Sequence, residues 1–308
     1  MRGHRGICGH GRVSACHTRA VTSDGVSWRA WSGGLGQFRA ENLANWSERA
    51  ALHAKSADYG TAALIADPQA ISDVVRFDLP RLGDITGLRV LHLQCHIGTD
   101  TVSLARLGAE VTGLDFSGAA VAEGRRLAER CGVDVRFVEG DAYDAVDLLG
   151  DSSFDLVFTG IGALCWLPRI DLWAGVVHDL LVPGGRLFIR EGHPMLWSLD
   201  ENVNDSLLVR YPYFETSAPL SFDEPESYVA IERPLEASMS HSWNHGLGEV
   251  MTALIDSGMA ITSFAEHDSV PWNALPGQME KDAFDEWRLI EGRERLPLTY
   301  TLTATRSR

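Results

Sequence analysis

The stretch LRVLHLQCHIGTDTVSLARLGAEVTGLDFS, residues 88–117, decides how the rest of the chain is read. Arg89 to Leu93 is short and apolar enough for a buried parallel strand. Gln94 to Thr99 reads as a tight turn, and Thr99 or Asp100 is placed to cap a helix whose apolar face includes Val102, Leu104, Ala105 and Leu107. Gly108 stops that helix, Val111 to Leu114 is the next strand, and Asp115 stands at its carboxyl end. Strand, turn, helix, strand and acid in this order predict a βαβ unit with a ligand at its crest. Backbone N–H groups at the helix N-terminus suit the polar tail of a nucleoside ligand, and the acid suits ribose hydroxyls.

The alternation continues downstream. Ala119 to Arg130 reads as a helix ended by Cys131-Gly132, Val133 to Val138 as a strand, and Glu139-Gly140-Asp141-Ala142 as the loop after it. Phe154 to Phe158 is a strand with Thr159 to Leu167 as its carboxyl-end loop. Leu172 to Leu181 is a helix, and Pro183-Gly184-Gly185 turns into the strand Arg186 to Arg190. Such a series predicts an α/β fold with a doubly wound sheet, mostly parallel. Residues 192–243 break the rhythm with Pro, Tyr, Trp and acids, and read as an irregular or hairpin-like insertion over the site. A helix over Gly246 to Ser257 and strands Ile261 to His267 and Leu298 to Thr303 complete seven strands, the last antiparallel. Before the sheet, Trp46, Ala50 and His53 form a helical stripe that serves as a lid over a ligand or as packing on the sheet edge. Ile71 to Leu82 is a second helix or an extended lead-in.

The chain has 308 residues, 45% of them hydrophobic, and a formal net charge of −15. That is ample for one large domain with a cap. The acidic balance argues against nucleic acid or an anionic membrane as partner, since both require a basic face. No apolar run approaches the ~20 residues of a spanning helix. Five scattered cysteines, Cys8, Cys16, Cys95, Cys131 and Cys165, fit a reducing cytoplasm better than a disulfide framework. Residues 1–40 differ from the rest, with Arg2, Arg5, Arg12, Arg19, Arg29 and Arg39 against the single acid Asp24. They read as a disordered leader or as sequence upstream of the true start, although His4, Cys8, His10, Cys16 and His17 also have the elements of a metal set. An Arg-rich, acid-poor leader also matches a transit peptide, which nothing else in the chain requires.

Taken together, VLHLQCHIG at 90–98, VTGLDFS at 111–117, VEGDAYD at 138–144, FDLVFTGIGALCW at 154–166 and LLVPGGRLFIREGHP at 180–194 resemble the S-adenosylmethionine-dependent methyltransferases of the Rossmann-like, seven-stranded class. The resemblance covers residues 41–305, and is nearest to a bacterial small-molecule branch with an LHLQCH-type first motif. It implies S-adenosylmethionine as cofactor, held by the first turn (Gln94, Cys95, His96, Gly98). It further implies Asp115 at the ribose, Phe116 on the adenine face, Asp141 and Ala142 at the adenine edge, and Thr159 opening the loop beside the sulfonium, with Trp46 as a cofactor contact from the lid helix. The family's acid at the end of the first strand is replaced by His92, and two of its turn glycines by Gln94 and His96; only Gly98 remains. His92, Cys95 and His96 have zinc-binding side chains, but adjacent ligands in one tight turn suit a tetrahedron poorly, and no metal ligand is assigned.

The expected reaction is transfer of a methyl group to a small-molecule acceptor, at nitrogen or oxygen, by in-line displacement. Positioning and desolvation suffice unless the acceptor arrives protonated. If it does, His193 and His245 are the candidate bases, with Glu191 placed to orient either. Tyr211, Tyr213, Phe214, Trp243 and Trp272 would line an aromatic acceptor pocket or form the core of the cap. Two rivals remain: a non-catalytic S-adenosylmethionine-binding module, and a nicotinamide-dependent oxidoreductase, which would carry glycines at positions 94 and 96. Acceptor identity and oligomeric state have no signature in the sequence.

Overall fold

A computed structural model describes residues 34–307, so the potential ligands between His4 and His17 lie outside the described residues. Helix α1, Gly34–His53, begins seven residues before the expected Glu41, and brings Arg39 into the fold. Two short helices follow, α2 (Thr61–Ala66) and α3 (Asp73–Leu82), the latter capped by Ser72, whose side chain accepts from the Val75 N–H.

The winding unit is β1 (Arg89–Leu93), α4 (Thr99–Arg106), β2 (Glu110–Asp115), α5 (Gly118–Cys131) and β3 (Val135–Glu139). Neither Thr99 nor Asp100 caps α4. The cap is Gly98 in the left-handed region with no side-chain bond, because a Cβ there would lie 2.8 Å from the Phe137 ring. Ser117 caps α5 by accepting from the Ala120 N–H, and Gly132 closes it.

Next come α6 (Ala145–Leu149), β4 (Phe154–Thr159), α7 (Ile170–Leu180), β5 (Leu181–Gly192) and α8 (Pro194–Trp197). The Pro-Gly-Gly step lies inside β5 rather than before it. A Cβ on Gly185 would sit about 3.0 to 3.2 Å from the carbonyl oxygens of Val182, Asp155 and Phe154, so glycine is what lets the strand bulge there.

The chain then forms β6 (Leu220–Asp223), β7 (Met239–Ser242), α9 (Leu247–Asp256), β8 (Met259–His267), β9 (Met279–Lys281), β10 (Trp287–Leu289) and β11 (Thr299–Arg306). Seven strands make one sheet in the order β3-β2-β1-β4-β5-β11-β8. β3 through β5 run parallel, and β11 lies antiparallel between β5 and β8.

Alternate side chains of the strands feed two buried layers. Leu91, Leu93, Val157, Leu187 and Ile189 pack on α7 and α9 through Trp173, Val177, Leu180 and Leu254, whereas Val90, Leu156, Phe158 and Phe188 pack on Val75, Leu82 and Leu104. Within the insertion, β6 and β7 pair as an antiparallel ribbon. α1 grips that ribbon: Asn42 exchanges side-chain bonds of 2.7 and 2.8 Å with the backbone of His241, and Asn45 donates to the Ala237 carbonyl. No helix among the described residues is long and apolar enough to cross a membrane.

Candidate functional site

Asp115 closes the first βαβ unit. Its carboxylate accepts from the His96 N–H at 2.8 Å and the Ser117 N–H at 2.9 Å, tying the turn after β1 to the start of α5. Burial pushes its pKa up to about 6 against the pull of those two bonds. The turn itself uses the left-handed region three times, at Gln94 (φ 62°), His96 (φ 48°) and Gly98 (φ 78°). Glycine would take all three conformations freely; glutamine and histidine need their side chains held.

Both are held. Gln94 donates to the Ala163 carbonyl at 3.0 Å, and His96 Nε2 meets His53 Nδ1 at 3.0 Å. Burial drives the pKa of His53 down to about 2 and that of His96 to about 3, so the pair is neutral and shares one proton along the contact. Cys95 departs from its expected role as a cofactor contact: its side chain packs with Val102, Val121 and Phe137 beneath the turn, facing the core.

Asp141, after β3, accepts from the Tyr143 N–H on one oxygen and from Arg39 Nε on the other, at 2.6 Å. The Arg39 guanidinium also lies 6.0 Å from the centre of the Phe116 ring. The carboxylate expected at the adenine edge and the ring expected on the adenine face are thus bridged by a cation from α1. Ala142 is buried beside Asp141 at the start of a single helical turn. Each Asp141 oxygen keeps a second lone pair for a ligand amine.

α1 packs against the turn after β1, the start of α5 and the β4 loop. Ala50 packs on Ile97 and Ala120, while Trp46 stands edge-on to His96 and to Trp166, each at 5.1 Å. His53 stacks on Tyr59 and bonds Ser227 of the insertion at 2.9 Å.

The loop after β4 is shaped by Glu191, which does not orient a histidine. Its carboxylate accepts from the N–H groups of Gly162 (2.6 Å), Ala163 (2.8 Å), Leu164 (2.9 Å) and Gly192 (2.6 Å). Around this loop and the first turn, three buried polar atoms have no hydrogen-bond partner: Trp46 Nε1, Gln94 Oε1 and Thr159 Oγ1. A donor on α1, with an acceptor and a hydroxyl at the ends of β1 and β4, fit the ammonium and carboxylate of a methionyl group, so the residues present suit the implied cofactor.

The acceptor side differs more from expectation. His193 caps α8: its Nδ1 accepts from the Met195 N–H at 3.0 Å, leaving the proton on Nε2, which faces Glu266 at 3.0 Å. With both nitrogens engaged, and its pKa lowered by burial, it has no lone pair to offer as a base. His245 Nε2 donates to the Leu167 carbonyl at 2.7 Å, and its Nδ1 is turned toward Glu215 and Glu249.

The aromatic residues do not gather into one pocket. Trp272 stacks on Trp197, the Tyr213 hydroxyl accepts from the Leu247 N–H, Tyr211 packs on Phe222, and Phe214 is 79% exposed. Only Trp243 lines the small cavity of about 10 Å³ bounded by Cys165, Glu191, Asn244, His245 and Tyr300. Arg39 and Glu191 contact the candidate site in ways the motifs do not signal. Arg39 had no motif to mark it, whereas the position of Glu191 at the end of a strand was the signal available.

Residues 91–187 match the family model of a methyltransferase domain. The chain is 25% identical over 182 residues to the uncharacterized methyltransferase YbaJ of Bacillus subtilis, covering 59% of this chain and 69% of that one. It is 33% identical over 162 residues to the demethylmenaquinone methyltransferase of Beutenbergia cavernae, covering 52% of this chain and 63% of the relative. The fold is similar to the S-adenosylmethionine-dependent methyltransferase of Mesorhizobium loti, with a TM-score of 0.53 and 22% identity over 75% of this chain and 95% of that one. With the 3-2-1-4-5 parallel core, the acids after β2 and β3, and these likenesses in agreement, residues 91–187 match a methyltransferase domain, and the chain has the seven-stranded, Rossmann-like fold of the S-adenosylmethionine-dependent methyltransferases.

Proposed function

We propose that residues 41–308 act as one methyltransferase domain, with 192–243 as its acceptor-side insertion, and methylate a small molecule at nitrogen or oxygen in the cytoplasm. The observation that carries this is the set of partnerless buried atoms, Trp46 Nε1 on α1, Gln94 Oε1 just after β1 and Thr159 Oγ1 at the end of β4. When bound, the cofactor supplies an electrophilic methyl group on a sulfonium. Asp115 and Asp141 would hold the nucleoside, and the turn at Gln94–Gly98 its methionyl end. Trp46 and Trp166 exclude water and present aromatic faces that suit a cationic sulfur.

His193 and His245 do not supply a base in this arrangement, because one has both nitrogens engaged and the other turns its free nitrogen toward two carboxylates. Catalysis then rests on orientation and desolvation of an acceptor that arrives with a free lone pair, such as a neutral amine. The acidic chain favours a small acceptor over nucleic acid, and the Beutenbergia relative is named for a small-molecule acceptor, demethylmenaquinone.

Thermal melts with S-adenosylmethionine, S-adenosylhomocysteine and NAD, followed by labelled-methyl transfer to an acceptor panel, test the reading. Stabilisation by the first two and label transfer to a small amine or hydroxyl compound is the expected result. Stabilisation by NAD alone would overturn it, and binding without transfer to any acceptor would favour the non-catalytic module.

A further inference from the structure

Glu215 of the insertion, His245 and Glu249 of α9 offer three ligand atoms that all lie within 4.8 Å of one another. The His245 side chain is only 2% exposed, and its Nδ1 is buried with no hydrogen-bond partner. Its other nitrogen donates to the Leu167 carbonyl at 2.7 Å, which fixes the tautomer and leaves Nδ1 as a bare lone pair. That lone pair faces Glu215 Oε2 at 3.4 Å and Glu249 Oε1 at 3.5 Å. A neutral imidazole nitrogen aimed at two carboxylates is repulsive unless something positive lies between them.

An imidazolium would resolve the repulsion, but charge-assisted N–H···O contacts close to about 2.7–2.9 Å, well short of these distances. A divalent cation resolves it with the two nitrogen–oxygen spacings as they stand. Bonds of about 2.1 Å from zinc to nitrogen and oxygen, arranged as a tetrahedron, put neighbouring ligand atoms about 3.4 Å apart. The carbonyl-held histidine is also the usual arrangement behind a metal-ligating imidazole.

We propose that Glu215, His245 and Glu249 form a zinc-class divalent metal site. Its fourth position opens onto the cleft lined by Arg169, Asp171, Thr252 and Asp256. Arg169 does not oppose a cation there, because its guanidinium is committed to Asp171 in a two-bond pair. One imidazole and two carboxylates suit zinc or manganese, whereas magnesium prefers oxygen ligands and keeps its waters. Bound metal would join three segments: the insertion through Glu215, α9 through Glu249, and the end of the β4 loop through the Leu167 carbonyl behind His245. The cap would thereby be braced against the loop that faces the reaction.

The test uses the full chain, stripped with EDTA and titrated with zinc chloride against a chromophoric chelator, with magnesium chloride in parallel. One equivalent of zinc should bind and raise the melting temperature, with magnesium at least about tenfold weaker. Glu215→Gln, on a partly exposed loop side chain, should weaken zinc by about tenfold or more while leaving the circular dichroism unchanged, and His245→Ala should abolish the site. Failure of the stripped protein to bind zinc would overturn the proposal. So would zinc affinity unchanged in Glu215→Gln and Glu249→Gln, since the metal would then lie elsewhere. Binding of magnesium in preference to zinc would also refute it, as the imidazole would not be a ligand.

Discussion

Glu191→Gln should loosen the loop beside the reacting centre. In the native chain each carboxylate oxygen takes two backbone N–H groups, Oε1 from Gly162 and Gly192 and Oε2 from Ala163 and Leu164. Glutamine keeps one oxygen and presents an NH₂ to the other pair of donors. Two hydrogen bonds to a charged acceptor are then lost, at about 1.5–3 kcal/mol each, and two buried N–H groups face a third donor. Against this, an amide is easier to bury than a carboxylate, and burial already raises the Glu191 pKa. The relief recovers only part of the loss, leaving a net cost of about 2–4 kcal/mol. For a domain of this size that is a fall in melting temperature of roughly 5–10 °C. Because the released segment includes the Ala163 carbonyl that accepts from Gln94, S-adenosylhomocysteine should also bind more weakly by calorimetry. A variant that melts within about 1 °C of the parent and binds the ligand unchanged would refute the clamp.

Asp115→Asn should weaken S-adenosylhomocysteine by about 1–3 kcal/mol in calorimetry, through loss of charge-assisted acceptance; unchanged affinity would displace the ribose site. His53 and His96 have folded pKa values depressed below the unfolded value, so the stability they contribute is present above about pH 6.5 and is lost as pH falls toward 3. Urea melts followed by tryptophan fluorescence should therefore lose stability from pH 7 to 5, and His53→Gln should flatten that loss; a parallel slope would clear the pair. Asp78 is fully buried, and its carboxyl is pushed up to about 7 by desolvation. Its ionisation costs nothing below about pH 4, costs increasingly as pH rises to 7, and costs on the order of 4 kcal/mol above that. Asp78→Asn should then stabilise the chain at pH 8 but not at pH 5, and equal effects at both would show that the carboxyl ionises freely.

The parallel core was legible because its strands are buried on both faces. Runs such as Arg89–Leu93 and Phe154–Phe158 carry that signature locally, and the helices between them supply their own stop signals at Gly108 and Gly132. The acids after β2 and β3 were legible for the same reason, since position alone puts them at the crest. What the sequence hid depends on partners far along the chain. His193 looks like a base until Glu266, 73 residues away, is seen on its Nε2. Arg39 sits in the arginine-rich start that composition sets apart, yet it reaches Asp141 across 102 residues. The capping of α4 by Gly98 rather than Thr99 could not be read from α4 itself, because the constraint is the Phe137 ring on β3.

The first turn shows why a weak fingerprint can still make a site. Glycines at positions 94 and 96 would reach φ values near +60° and +50° without strain, at the entropic cost of a floppier loop. Glutamine and histidine cost on the order of 1–3 kcal/mol each in such conformations, so the turn holds its shape only while their side chains are tied down. Gln94 is tied to the β4 loop, which Glu191 fixes, and His96 is tied to His53 on α1, which the insertion fixes through Ser227. The strain thus links the first turn to both the β4 loop and α1. In a glycine-rich turn those three parts would be independent. Here, releasing α1 removes the support for His96, and the turn that would hold the methionyl end loses its form with it. The departure from the family's pattern therefore makes the shape of this turn depend on contacts with α1, the insertion and the β4 loop.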